Sequence, residues 1–390
     1  MSRPLIPAPV SASRALDLLP LLDAALSGDG PAIAPTDPAG RVASVAGAEV
    51  PDDVAVVLRT SGSTGASRAV MLGSRALRAS AEATARALGA TGGGRTQWLL
   101  ALPPVHVAGV QVVVRSVLAG TVPAVMDLSG GFRAASFAAT AATMTGDRRH
   151  TSLVPTQLVR LLDDSDGVRA LRSFDAVLLG GAATTTALLA RARGAGIRAV
   201  TTYGMTETCG GCVYDGRPLD GVRVDLDDEG RILLGGPVLA TGYLGRPDLD
   251  DEAFVTRLGE RWLRTSDLGT LDDAGRLRDT GRVDDVIISG GVNVSPAAVE
   301  HVLAAVDGVA EVCVVGLPDD EWGQSVTAVL VLRSGARAPT LATVRAAAAE
   351  RLGAASAPRD VVVVGSLPLR GPGKPDRRAA AALARELLAH

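Results

Sequence analysis

Among its 39 basic residues the 390-residue chain has one lysine, Lys374, in the loop Gly371-Pro372-Gly373-Lys374-Pro375. A compact ammonium can sit between two oxyanions, where a planar guanidinium would impose its own fork geometry. A second chemical stretch is Thr60-Ser61-Gly62-Ser63-Thr64-Gly65-Ala66-Ser67-Arg68. Hydroxyls, glycine N–H groups and one cation suit a polyphosphate, because glycine allows close approach and successive N–H groups form an anion nest. It is not a Walker A loop, which needs G-x-x-x-x-G-K followed by Ser or Thr. The same residues also fit a flexible Ser/Gly linker. In Tyr203-Gly204-Met205-Thr206-Glu207-Thr208 the tyrosine can stack on a purine. Thr206 and Glu207 can hold a phosphate and its Mg²⁺, which takes only one or two protein oxygens; the competing reading is a polar turn. Arg264–Gly269 and Gly281–Asp285 place aspartates where ribose hydroxyls could donate to them, or are solvated turns.

These loops need a scaffold that ends several strands on one edge. Val54–Thr60 reads as a buried strand, Ser74–Leu88 as a helix with Ser74 at its N-cap, Trp98–Leu102 as a strand and Val105–Leu118 as a helix. The phosphate-type loop then lies between a strand and a helix. The alternation continues with strands at Thr151–Val154, Phe174–Leu179 and Ala199–Tyr203, and helices at Pro155–Leu162 and Thr184–Arg193. That order predicts an α/β fold with a mostly parallel, helix-covered sheet. Residues 216–279 read as a smaller antiparallel unit. Beyond Arg282 a final α+β stretch is predicted, with helices at Pro296–Val306 and Leu341–Leu352 and strands at Val309–Val315, Val326–Leu332 and Asp360–Val364.

Composition narrows the classes. Hydrophobic residues make up 47%, charged residues 21% and aromatics 3%, with a formal net charge of −3. Neither a basic footprint for nucleic acid nor a stacking surface is present. No apolar run reaches the roughly 18 residues of a membrane span, and the N terminus lacks a secretory h-region. Three cysteines give no disulfide framework, so the expectation is a cytoplasmic protein. Cys209-Gly210-Gly211-Cys212 has no second pair and no nearby His, which argues against zinc. Asp225–Gly230 starts like a calcium loop but carries Gly236 at its twelfth position, and is read as a hairpin turn.

Taken in order, TSGSTG, PPVH, LLGGA, YGMTE, RTSDLG, GRVDDVIISGGVNVSP and GPGK resemble the adenylate-forming acyl-CoA synthetase family from about residue 54 to 385. SLVPTQLVRLL and YGMTETCGG look most like its branch that activates o-succinylbenzoate for menaquinone biosynthesis. The resemblance implies a large N-terminal domain over 1–281, a hinge at 282–284 around Asp284, and a small mobile domain over 285–390. Thr60, Ser61, Gly62, Ser63, Thr64, Gly65 and Arg68 would hold the β- and γ-phosphates. Gly180, Gly181, Ala182, Tyr203 and Gly204 would meet the adenine, and Asp267 and Arg282 the ribose. Thr206 would touch the α-phosphate, Glu207 hold Mg²⁺, and Lys374 bridge the reacting carboxylate and phosphate. Gly290 and Gly291 would flank the CoA channel.

His106 matches the family's acyl-pocket histidine. Arg115, within an apolar run, would clamp the substrate's second carboxylate. The implied reactants are ATP with Mg²⁺, a small carboxylic acid and CoA, with no nucleic acid and no membrane insertion; a homodimer is left open. The alternatives are a CoA ligase for another aromatic or acyl acid, an enzyme loading a carrier protein, and a non-catalytic nucleotide-binding relative. Two departures stand out. Ser67-Arg68-Ala69 replaces the usual Pro-Lys-Gly, and the early phosphate loop implies a reduced N-terminal subdomain.

Overall fold

Val54, Ala55, Val56, Val57 and Leu58 are all buried, as a strand covered on both faces requires. In the computed structural model, which describes residues 1–10, 12–37, 47–61, 67–369 and 374–389, this run is one of six strands in the first sheet. The chain separates into two units. One comprises Met1–Asp225, Leu233–Thr265 and Leu271–Leu277; the other comprises Leu226–Ile232, Ser266–Thr270 and Arg278–His390.

The first unit opens with β1 (Ser2–Pro9), α1 (Leu18–Ser27), β2 (Ala32–Thr36), β3 (Glu49–Pro51), β4 (Val54–Ser61) and β5 (Ser67–Gly73). β1, β2 and β4 run parallel, while β4 and β5 form an antiparallel pair with Thr60 opposite Arg68 and Ser61 opposite Ser67. The expected strand–loop–helix is therefore corrected: residues 62–66, which lie outside the described residues, connect two strands of a hairpin. The helix α2 (Ser74–Leu88) follows β5 instead. Its N-cap is Gly73, not Ser74, whose N–H donates to the Asp53 carbonyl at 2.7 Å.

The second sheet follows the predicted alternation. Its strands are β6 (Thr96–Leu100), β7 (Ala124–Val125), β8 (Arg148–Leu153), β9 (Ala176–Leu179), β10 (Ala199–Met205), β11 (Gly210–Tyr214) and β12 (Arg217–Pro218). The interleaved helices are α3 (Val107–Leu118), α4 (Ala134–Ala142), α5 (Pro155–Leu162), α6 (Ser165–Leu171) and α7 (Thr186–Gly194). β7, β6, β8, β9 and β10 pair in parallel. Phe137, Leu158, Leu161, Leu171 and Phe174 bury one face of this sheet against Val177 and Leu179. Because the strands are parallel, the segments after β6, β9 and β10 leave from one edge, where α/β sheets bind ligands. α3 runs back from that edge: just beyond its end the Thr121 hydroxyl donates to the Thr96 carbonyl at the start of β6, at 2.8 Å.

Short elements follow: β13 (Arg223–Leu226), β14 (Arg231–Gly235), β15 (Gly242–Tyr243), α8 (Pro247–Ala253), β16 (Phe254–Arg257), β17 (Glu260–Leu271) and β18 (Leu277–Arg282). β15 returns to the first sheet and pairs with β5, Tyr243 opposite Val70. The Asp227–Gly230 segment is the expected turn: the Asp227 N–H donates to the Arg231 carbonyl, and Asp227 Oδ1 accepts from the Glu229 and Arg231 N–H groups.

The second unit continues with β19 (Ile287–Ser289), β20 (Val292–Val294), α9 (Pro296–Leu303), β21 (Val309–Asp319), β22 (Gly323–Leu332), α10 (Leu341–Leu352), β23 (Asp360–Val363) and α11 (Arg377–Leu388). Alternation along the strands decides which helix covers which face. Val314, Val326, Ala328 and Leu330 pack with Val299, Leu303, Val344 and Ala348 of α9 and α10. Cys313, Val315 and Val329 point the other way, onto Ala380 and Ala384 of α11.

Candidate functional site

At the end of β10 the backbone must turn tightly. Gly204 has φ +155°, and a Cβ there would lie 2.2 Å from the Gly210 carbonyl oxygen, so no larger residue fits without displacing β11. Tyr203 stays in the strand, half-buried, and Thr206–Thr208 form one short 3₁₀ turn. Glu207 on that turn is buried, and Tyr243 donates its phenolic hydrogen to Glu207 Oε1 at 2.9 Å. The Ala240 N–H, on the segment leading to Tyr243, donates to the Glu207 carbonyl at 2.8 Å. Arg68, opposite Thr60 in the hairpin, places its guanidinium carbon 5.8 Å from the Tyr243 ring centroid. Burial, and then the Glu207 carboxylate, hold the Tyr243 phenol well above its ordinary pKa, while Arg68 pulls it down.

Arg68, Tyr243 and Glu207 thus form one cluster on three chain segments. Tyr243 is the site residue that sequence reasoning missed. Its signal was its rarity, since the chain has only three tyrosines. Among the described residues Glu207 Oε2 accepts no hydrogen bond, and no group of three His, Cys, Asp or Glu side chains gathers into a cage. One available carboxylate oxygen fits Mg²⁺, which keeps its waters and takes most of its remaining ligands from phosphates.

Gly180, Gly181 and Ala182 follow β9 on the same edge; Gly181 has φ +83°, and a Cβ on Gly180 would lie 2.6 Å from Thr202 Oγ1. His106 follows β6 and is the N-cap residue of α3. Ser61 ends β4, and Gly62, Ser63, Thr64 and Gly65 lie outside the described residues. The motif residues of the first unit therefore issue from strand ends.

Arg115 is the exception. It lies about 13 Å along the axis of α3 from His106, at 1.5 Å per residue, toward the opposite edge of the sheet. Between them on that helix, Gln111 is committed to the Cys209 carbonyl at 2.8 Å. Arg115 is buried, stacks 4.9 Å from the Trp98 ring centroid and donates to Thr84 Oγ1 at 3.2 Å. As their nine-residue spacing implies, His106 and Arg115 share α3 but lie apart along it.

In the second unit Arg282 Nη1 pairs with Asp267 Oδ1 at 2.9 Å and its Nη2 with Asp284 at 3.4 Å. The expected ribose pair and the expected hinge residue are thereby linked by one guanidinium. Gly290 has φ +58°, and a Cβ there would lie 2.4 Å from the Trp322 ring; Gly291 has φ +77°. Lys374 is exposed. The loop carrying it is closed by a bridge between Leu369 and Pro375 and by the Asp376 N–H donating to the Pro368 carbonyl at 2.8 Å. Asp376 caps α11. Arg377, the next residue, holds both oxygens of Glu300, Asp285 at 3.0 Å and the Val314 carbonyl at 2.8 Å.

Cys209 and Cys212 are buried and not disulfide-bonded. Burial raises both thiols, Cys212 to about 12. A cleft of about 650 Å³ lined by Arg86, Arg193, Arg198, Arg217 and Asp220 contains none of the motif residues. No helix among the described residues is long and apolar enough to cross a membrane.

Comparison with known proteins agrees with this arrangement. The AMP-binding enzyme family matches residues 10–244, and the AMP-binding enzyme C-terminal domain matches 298–374. A probable 2-succinylbenzoate–CoA ligase of Mycobacterium tuberculosis is 43% identical over 95% of this chain and 96% of its own. A 2-succinylbenzoate–CoA ligase of Listeria monocytogenes is 32% identical over 83% of this chain and 68% of its own. The solved O-succinylbenzoate coenzyme A synthetase of Bacillus subtilis in complex with ATP and magnesium ion superposes with a TM-score of 0.71 at 27% identity, covering 95% of this chain and 82% of that one. From its ordered motifs, its fold and these matches, the chain belongs to the AMP-binding enzyme family.

Proposed function

We propose that the protein is an ATP-dependent o-succinylbenzoate–CoA ligase of menaquinone biosynthesis, acting in the cytoplasm. The observation that carries the proposal is its end-to-end likeness to 2-succinylbenzoate–CoA ligases, over both the nucleotide-site loops and the Lys374 segment. A carboxylate is a poor electrophile. Attack of its oxygen on the α-phosphorus of ATP releases pyrophosphate and gives an acyl-adenylate; the CoA thiol then displaces AMP to leave a thioester. Catalysis of the first step is mainly positioning and electrostatics, because negative charge crowds the site.

In this proposal Thr60, Ser61–Gly65 and Arg68 hold the departing phosphates, and Thr206 the α-phosphate. Glu207, oriented by Tyr243, holds Mg²⁺, which supplies charge neutralisation on the phosphates. Tyr203, Gly204 and Gly180–Ala182 take the adenine, and Asp267 and Arg282 the ribose. Lys374 bridges the reacting carboxylate and the phosphate. His106 faces the acyl group, Gly290 and Gly291 flank the CoA path, and 1–281 and 285–390 act as two domains about Asp284.

The test is a panel of acids with ATP, Mg²⁺ and CoA, following AMP and thioester formation. We expect kcat/KM for o-succinylbenzoate to exceed that for benzoate, succinate and octanoate by about 100-fold or more, the scale at which specific polar contacts discriminate. A different preferred acid overturns the substrate. Absence of ATP–pyrophosphate exchange with every acid overturns catalysis.

A further inference from the structure

Arg115 lies beside a cavity of about 190 Å³ walled by Ala81, Ala85, Leu88, Trp98, Leu118 and His150. The walls are mostly apolar, and the polar groups among them are short of partners. Arg115 is 7% exposed, its Nε makes no hydrogen bond, and it has no carboxylate partner within salt-bridge distance among the described residues. What it has is neutral: the Thr84 hydroxyl, itself 2.9 Å from the Tyr214 hydroxyl, and the face of Trp98. His150, fully buried on the neighbouring strand with its ring 5.1 Å from Trp98, leaves both ring nitrogens unpaired. The one carboxylate at the rim, Glu82, is exposed.

Buried polar groups are overwhelmingly hydrogen-bonded, and a buried charge without a counter-charge is costly. A guanidinium cannot relieve that cost by losing its proton. The cavity therefore presents a permanent cation, a second polar ring and an aromatic wall, in a space below the roughly 300 Å³ of a drug-sized site. We propose that this cavity is a binding site for a compact aromatic or aliphatic monocarboxylate, paired through Arg115 and distinct from the site formed by the loops after β6, β9 and β10. The carboxylate completes the hydrogen bonding of Arg115, bidentate pairing being the geometry in which arginine recognises it, and the apolar body of the ligand lies against Ala85, Leu88 and Leu118. The inference does not depend on which acid the enzyme activates.

The test uses the full chain and 4-fluorobenzoate, followed by fluorine NMR and by titration calorimetry. The expected result is one molecule bound per chain, at millimolar or tighter affinity, in the presence of saturating ATP and o-succinylbenzoate. Arg115→Met should weaken it at least tenfold. Ala85→Phe, which fills the cavity and leaves Arg115 in place, should abolish it while ATP–pyrophosphate exchange and the melting temperature persist. Neutral 4-fluorobenzamide should not bind. Absence of binding overturns the site. So do unchanged affinity in Ala85→Phe, equal binding of the amide, or displacement by o-succinylbenzoate, which would place the carboxylate in the acyl pocket.

Discussion

The Tyr243 hydroxyl and Glu207 Oε1 are 2.9 Å apart although 36 residues separate them in sequence. The contact exists because β15 pairs with β5, which brings Tyr243 over the turn after β10. Tyr243 fixes one oxygen of Glu207; in the proposed function the other would face the metal–nucleotide complex. A hydrogen bond to a charged group contributes about 1.5–3 kcal/mol. Tyr243→Phe should therefore lower kcat/KM for Mg·ATP by roughly 10- to 100-fold and raise the Mg²⁺ concentration needed for half-maximal adenylation. An unchanged magnesium titration would remove Tyr243 from the site.

Lys374→Ala should reduce ATP–pyrophosphate exchange by about 100-fold or more, the usual scale for deleting a group that stabilises developing charge. Thioester formation from a supplied acyl-adenylate should be largely spared. Equal loss in both half-reactions would mean that Lys374 does not act in the first.

Arg377 follows Lys374 by three residues and is tied to α9, to β21 and to Asp285. Arg377 is half-buried, a hydrogen bond to a charged group contributes about 1.5–3 kcal/mol, and lysine cannot restore bidentate pairing. Arg377→Met should destabilise the second unit by about 2 kcal/mol and depress adenylation more than thioester formation, with Arg377→Lys failing to rescue either. Arg378→Met, an exposed neighbour, should do neither. Urea unfolding together with the two half-reactions separates these outcomes.

Burial lowers the pKa of His150 from 6.5 to about 4, with Asp175 opposing the shift and Arg115 and Arg198 adding to it. The unfolded chain takes up this proton near the ordinary value, whereas the folded chain does not until about 4. Stability is thus full above 6.5 and falls as pH drops through that window, by roughly 2 kcal/mol at about pH 5. His150→Phe should flatten that acid limb, read from urea midpoints at about pH 7.5 and 5.

Much of the scaffold was legible. Pro155–Leu162 has proline at its first turn and Leu341–Leu352 ends before a glycine, and both helices have the predicted bounds. β1 was not legible, because Pro4, Pro7 and Pro9 argue against an interior strand. The structure resolves the conflict: among the described residues Ser2–Pro4 pair with β3 and Leu5–Pro9 with β2, so each half has one strand partner, like an edge. α11 was missed because its alanines and arginines carry little apolar contrast; its buried contacts are made by the small residues Ala380 and Ala384. At the site, the ordered motifs located the loops, but the Tyr243–Glu207 contact and the cavity beside Arg115 are products of strand pairing and helix direction. Neither is encoded in local spacing.

Lys374 is exposed beside the bridge of Leu369 and Pro375 and is the only side-chain amine in 390 residues. Amine-directed reagents therefore have two addresses on this chain, the α-amino group and Lys374. Acylation, isotope tagging or attachment of a spectroscopic probe can report on that one loop without any engineered cysteine or lysine removal. An intact mass spectrum gives the occupancy of Lys374 directly, once the terminal amine is accounted for.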